Sequence, residues 1–222
     1  MIIQKFLFRI IRDLTAFGLL LTAIVLPASA TSDGGVPKSQ HTVLVMGDSI
    51  SAAYGMSLEQ GWVALMAGQM ANTHPDIRIV NASISGETAA GGARRLPALL
   101  EEHEPSLVII ELGGNDGLRG YPVKSFRNDL RNMTELSQAA GAQVLILAME
   151  IPPNYGTRYT ASFRESYPKV ALETGAVLGP FLLEGVATNT ELMQADGIHP
   201  TVEAQPILLE TVMPVVAELL EL

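Results

Sequence analysis

Five short runs of Val, Ile and Leu constrain this chain more than any other feature: residues 43–46, 77–82, 107–112, 144–149 and 177–181. None alternates polar and apolar residues along its length, the pattern of a parallel strand covered on both faces. Segments with helical spacing lie between them, such as Leu96, Leu99 and Leu100 ahead of EEHEP, and Phe126, Leu130, Met133 and Leu136 ahead of Gly141. Gly141 is placed to cap its helix and Pro105 to end the other. A last helix is predicted over about residues 201–220, interrupted by Pro206 and Pro214. Strands alternating with helices require right-handed crossovers, so the expected class is α/β, a three-layer α/β/α doubly wound sheet. Trp62, Met66 and Met70 read as core, and Arg94 and Arg95 as solvated helix cations.

The first 30 residues have a different character. Lys5, Arg9 and Arg12 precede an apolar stretch over residues 14–26, and Ala28, Ser29 and Ala30 form a small-residue cleavage site. That order predicts a secretory signal peptide over residues 1–30, cut after Ala30. A retained membrane anchor is the rival, but a spanning helix needs about 20 apolar residues, more than this stretch supplies. A Gly, Ser and Pro linker is expected over residues 31–40, then one domain over residues 41–222, in a periplasmic or secreted protein.

The chain carries a formal charge of −9, with 14 Lys and Arg against 23 Asp and Glu. Loss of residues 1–30 removes three cations and Asp13, and makes it −11. Such a surface repels nucleic acid and offers no basic patch to an anionic bilayer. There is no cysteine, so thiol nucleophiles, disulfides and cysteine metal sites are excluded. His41, His74, His103 and His199 are the only imidazoles.

In a sheet of this kind ligands bind beyond the carboxyl ends of the strands. Ser49 follows the first run, SGET at 85–88 the second and GGND at 113–116 the third, while DGIHP at 196–200 precedes the last helix. All four segments therefore map to one rim. A serine hydrolase needs a nucleophile there, a base to take its proton, a carboxylate to orient the base, and donors aimed at the developing oxyanion.

Each residue also has a plainer reading. Ser49 could cap a helix, but a serine held just beyond a strand is equally placed to attack. GDSIS is not the GxSxG elbow of α/β-hydrolases. His199 is the one histidine on the proposed rim, since His103 sits at a charged helix end, His74 in a turn and His41 near the expected mature terminus. By elimination it is the base. Asp196, three residues earlier, can turn its carboxylate back onto the imidazole. Asp48 and Asp116 are rival carboxylates, read more simply as acceptors that order loops. Gly86 through its N–H and Asn115 through its amide can join Ser49 N–H as oxyanion donors, although SGE and GND also make ordinary turns.

GDSIS, Gly86 within NASISGET, ELGGNDGLRG and DGIHP resemble, in order, the four blocks of the SGNH (GDSL) hydrolases. IVNASISGET, RLPALL, NYGTRY and the AQP after GIHP resemble more narrowly the multifunctional periplasmic thioesterases and lysophospholipases of that family. The resemblance implies Ser49, His199 and Asp196 as the triad and Ser49, Gly86 and Asn115 as the oxyanion hole. It implies a flavodoxin-like strand order of 2-1-3-4-5. Acyl transfer through a serine requires no cofactor or metal, and a monomer acting on small acyl esters and thioesters is expected. The resemblance also implies that residues 116–121 move over bound acyl chains and that Ile151 lines the acyl groove. Two other classes stay open: a metal-dependent phosphoesterase, for which the rim holds too few nitrogen ligands, and a non-catalytic lipid binder on the same fold.

Overall fold

The computed structural model describes residues 41–222, so the expected signal peptide and linker lie outside the described residues. Val, Ile and Leu fill five parallel strands: β1 (His41–Gly47), β2 (Ile77–Asn81), β3 (Leu107–Glu111), β4 (Gln143–Ala148) and β5 (Val177–Phe181). Their order is β2-β1-β3-β4-β5, as the family resemblance implied. Val43 pairs with Ile79 on one side and Leu107 on the other, and Val108 pairs with Val144.

Burial follows position in the sheet. Every residue of β3 is buried, and so is every residue of β1 after His41. The edge strands β2 and β5 are only partly covered. Pro180, which cannot donate to a ladder, sits in the edge strand β5.

Among the described residues six α-helices lie between the strands and a seventh follows the last: α1 (Trp62–Thr73), α2 (Ala89–His103), α3 (Gly114–Leu118), α4 (Val123–Ala139), α5 (Thr157–Arg164), α6 (Ser166–Thr174) and α7 (Gln205–Leu219). Right-handed crossovers send α1 to one face and α2, α4 and α6 to the other. Helix α7 returns to pack on α1, while α4 packs between α2 and α6. Trp62 and Met66 are wholly buried and Met70 nearly so, as core residues should be.

Helix ends carry the expected stop signals, with small corrections. Thr88 caps α2, its hydroxyl accepting from Gly91 N–H at 3.2 Å. Glu104 closes that helix in the left-handed region, and Pro105 follows. Gly141 stands one residue past the Ala140 cap of α4, with φ +89°, where a glycine relieves the strain of left-handed backbone. The last helix begins at Gln205, four residues later than predicted. Pro206 falls in its first turn, where a missing N–H costs nothing, and Pro214 is accommodated inside it. Arg95 departs from its reading as a solvated cation, because its Nε donates to Glu87 at 2.8 Å; Arg94 is exposed.

Candidate active site

Ser49 lies two residues beyond β1 in a turn that runs on without becoming a helix; the next helical residues are Leu58–Gln60. It caps nothing. The turn is pinned from three sides. Gly47 N–H donates to Ser83 Oγ at 3.1 Å, Asn81 Nδ2 to Ser51 O at 2.8 Å, and Asp48 N–H to Glu111 Oε2 at 3.3 Å. Gly47 permits this crowding, since a Cβ there would stand 2.6 Å from both Glu111 Oε2 and Ser51 Cβ.

The segment before α7 is folded by its own polar side chains. Gln194 N–H donates to His199 O at 2.7 Å, and Gln194 Nε2 reaches both Pro200 O and Tyr54 O. Asp196 Oδ1 accepts from the backbone N–H of Ile198 and of His199, at 2.9 and 3.0 Å. Its second oxygen, Oδ2, lies 2.6 Å from His199 Nδ1, and His199 Nε2 lies 2.8 Å from Ser49 Oγ. Hydroxyl, imidazole and carboxylate thus form one continuous chain across 150 residues of sequence. Partial burial raises the Asp196 carboxyl, but the bonds from the His199 ring and the two N–H groups outweigh it and bring it down to about 2. It is a carboxylate at any working pH.

Gly86 arrives from the loop after β2, and Asn115 from the first turn of α3, just after β3. Gly86 has φ +79°, a conformation a side chain would strain. Asn115 Nδ2 donates to Asp48 Oδ2 at 3.1 Å, which orients the amide and leaves its second hydrogen for another acceptor. Asp48 Oδ1 accepts from Ile50 N–H, so this carboxyl orders two loops. Burial raises it to about 6, against the pull of Ile50 N–H, the His199 charge and Asn115. Asp116 accepts from Ala89 N–H at the start of α2 and is likewise raised by burial. Ile151 is nearly buried and packs over Gly117 of α3, where an added Cβ would meet Ile151 Cγ2 at 2.5 Å.

Four participants escaped the sequence reading. The Tyr54 ring lies against His199, centroids 4.3 Å apart. Arg119 Nη2 donates to Gly86 O and to Asn115 Oδ1, at 3.1 and 3.4 Å, tying the two loops together. Gln205 Oε1 accepts from Trp62 N–H at 3.0 Å, joining α7 to α1 beneath the histidine loop. Glu111, fully buried, lies under the serine turn. The signal for Gln205 was present in the AQP that follows GIHP; the others carry no pattern in the chain. Among the described residues no three of His, Asp and Glu gather as a metal-binding set.

A flavodoxin-like sheet with a Ser–His–Asp relay at its carboxyl edge defines a serine-type ester hydrolase. The chain belongs to the GDSL-like Lipase/Acylhydrolase family, whose family model matches residues 45–206. It is 54% identical over 180 residues to the esterase TesA of Pseudomonas aeruginosa, covering 81% of this chain and 90% of that one. It is 44% identical over 169 residues to thioesterase 1/protease 1/lysophospholipase L1 of Escherichia coli, covering 76% and 80%. The crystal structure of the psychrotrophic esterase EstA from Pseudoalteromonas sp., inhibited by monoethylphosphonate, matches with a TM-score of 0.79 at 43% identity, covering 82% of this chain and 100% of that one.

Proposed function

We propose that this chain hydrolyses single-chain acyl esters and thioesters outside the cytoplasm, with Ser49 as nucleophile, His199 as general base and Asp196 as its orienting carboxylate. The observation that carries the reading is the unbroken relay from Asp196 Oδ2 through both imidazole nitrogens to Ser49 Oγ, with contacts of 2.6 and 2.8 Å. Ser49 Oγ attacks the carbonyl carbon as His199 Nε2 takes its proton, and the oxyanion is received by the N–H groups of Ser49 and Gly86 and by Asn115 Nδ2. The same proton passes to the departing alcohol or thiol, leaving an acyl-serine. Water then adds to that carbonyl while His199 takes its proton, and the carboxylic acid leaves as Ser49 regains its hydrogen.

The rim supports an acyl-chain substrate. Tyr54, Leu58, Ile84, Tyr121, Tyr155 and Ile198 are large apolar side chains left exposed, and all lie in segments that follow the carboxyl ends of the strands, Leu58 and Tyr155 within single helical turns. Relatives carry the names esterase, thioesterase and lysophospholipase, which supports the same substrate classes for this chain. Ile151, under α3, is the proposed wall of the acyl groove. Tyr155 and Tyr159 hydroxyls donate to Leu118 O and Tyr121 O, each at 2.7 Å, and are the contacts that movement of residues 116–121 would break. Residues 1–30 act as the export signal in this reading, and the remaining chain works without cofactor or metal as a monomer.

Purified chain lacking residues 1–30 is expected to release fatty acid from lysophosphatidylcholine and from palmitoyl-thioester, and to bind a fluorophosphonate covalently. Ser49→Ala abolishes turnover and labelling. Labelling that survives in Ser49→Ala overturns the nucleophile; cleavage of short aryl esters without any long-chain substrate overturns the lipid assignment.

A further inference from the structure

The nucleophile turn rests on a buried carboxyl group that the hydrolytic steps do not use. Glu111 ends β3, the central strand, and is wholly inaccessible to solvent. Its Oε2 accepts from Asp48 N–H at 3.3 Å and from the Ser51 hydroxyl at 2.7 Å. Those are the residues one before and two after Ser49. Ser51 Oγ in turn accepts from the indole Nε1 of Trp62 at 3.2 Å. Indole, hydroxyl and carboxyl thus form a chain in which each bond polarises the next. Glu111 Oε1 is buried with no partner, and no cation lies within ion-pair reach among the described residues.

We propose that Glu111 is a positioning residue for the acyl-transfer step, a buried hydrogen-bond acceptor that clamps the turn on both sides of Ser49 and so fixes the direction of its Oγ and N–H. The inference rests on Ser49 being the nucleophile. Both groups that Ser49 contributes, the attacking oxygen and one oxyanion donor, hang from backbone whose flanking positions Glu111 holds. A displacement of about 1 Å at such a centre costs on the order of 100-fold in rate. A surface loop could not hold that tolerance alone; a carboxyl group anchored in the central strand can.

The clamp works with an uncharged acid. Burial, then the neighbouring Asp48 charge, pushes Glu111 well above the usual carboxyl range, and an orphaned buried oxygen is cheaper to keep neutral than charged. The titratable groups facing it are Asp48 and Tyr167 of α6, with His199 and Asp116 acting through Asp48. Gln has the same shape and supplies an accepting oxygen without ionising; Leu fills the space and accepts nothing.

Three variants test this, each measured for kcat, KM, circular dichroism and the rate of fluorophosphonate labelling. Glu111→Gln is expected to stay close to wild type. Glu111→Leu is expected to fold but to lose about 100-fold in kcat and labelling rate with KM unchanged. Ser51→Ala removes one arm of the clamp with little loss of volume and lowers kcat and labelling in the same direction, and it decides the matter alone should the Leu variant not fold. Labelling and kcat at wild-type rates in folded Leu and Ala variants would reduce Glu111 to a core residue and overturn the proposal. A Gln variant as impaired as the Leu variant would overturn the neutral clamp. Turnover by Ser49→Ala would instead defeat the underlying assignment, so the two failures are separable.

Discussion

Asn115 shows how much one side chain does at this edge. Its amide is oriented by Asp48 Oδ2 on one side and by Arg119 on the other, which leaves one N–H for a developing negative charge. In the proposed oxyanion hole that charge exists only in the transition state, so the donor's effect falls on kcat and not on KM. Asn115→Ala is therefore expected to lower kcat by about 100-fold to 1,000-fold with KM unmoved, as steady-state kinetics on an aryl ester will read. A change confined to KM would remove Asn115 from the oxyanion hole. The residues of this edge were readable as candidates because GDS, SGE, GND and DGIHP each follow or precede a recognisable element. Tyr54, Arg119 and Glu111 were not, because their partners lie far along the chain: Glu111 reaches back 60 residues to Ser51 and Arg119 reaches back 33 to Gly86.

At the scale of elements, the crossing of β1 into the serine turn is the tightest point of the fold. Gly47 has the side chains of Glu111 and Ser51 pressed on it, and a methyl group added there collides with both. Overpacking of a rigid site costs about 1–3 kcal/mol. Gly47→Ala is expected to lower the thermal midpoint and to depress kcat along with it, whereas Gly68→Ala in α1, with nothing within 4 Å of the added Cβ, leaves both intact or improves stability. Equal midpoints in the two variants would show that the crossing can relax. Strand positions were legible because both faces of β1 and β3 are covered, which removes polar residues from the run. The start of α7 was harder to place, because Thr201 and Val202 have helical partners only in the turn that precedes Gln205, a matter of local geometry and not of composition.

For the molecule as a whole, buried acids set the response to pH. Asp48 is raised from 3.8 to about 6 and Glu111 is raised well above 4.5, so both favour the folded state in their protonated forms. Groups shifted in that direction stabilise fully below their unfolded values and lose that contribution as pH rises through the folded ones. Asp196 works the other way. Its value, lowered to about 2, gives stability that is present above 3.8 and lost only as pH falls toward 2. Urea midpoints are expected to fall as pH rises from about 4.5 through 6, with that decline smaller in Glu111→Gln. Midpoints that climb steadily across the window would contradict the burial of these acids in neutral form.

By itself the sequence determined the three-layer class, the five strands, the four loops that meet at one edge and the family, because backbone covered on both faces and loops rich in Gly, Asp and Ser leave local patterns. Only the tertiary structure decided that His199 lies 2.8 Å from Ser49, that Arg119 bridges Gly86 and Asn115, and that a buried acid underlies the Ser49 turn. Those contacts are made between segments brought together by the order of the strands, and a distance across the sheet leaves no trace in the spacing of residues along the chain.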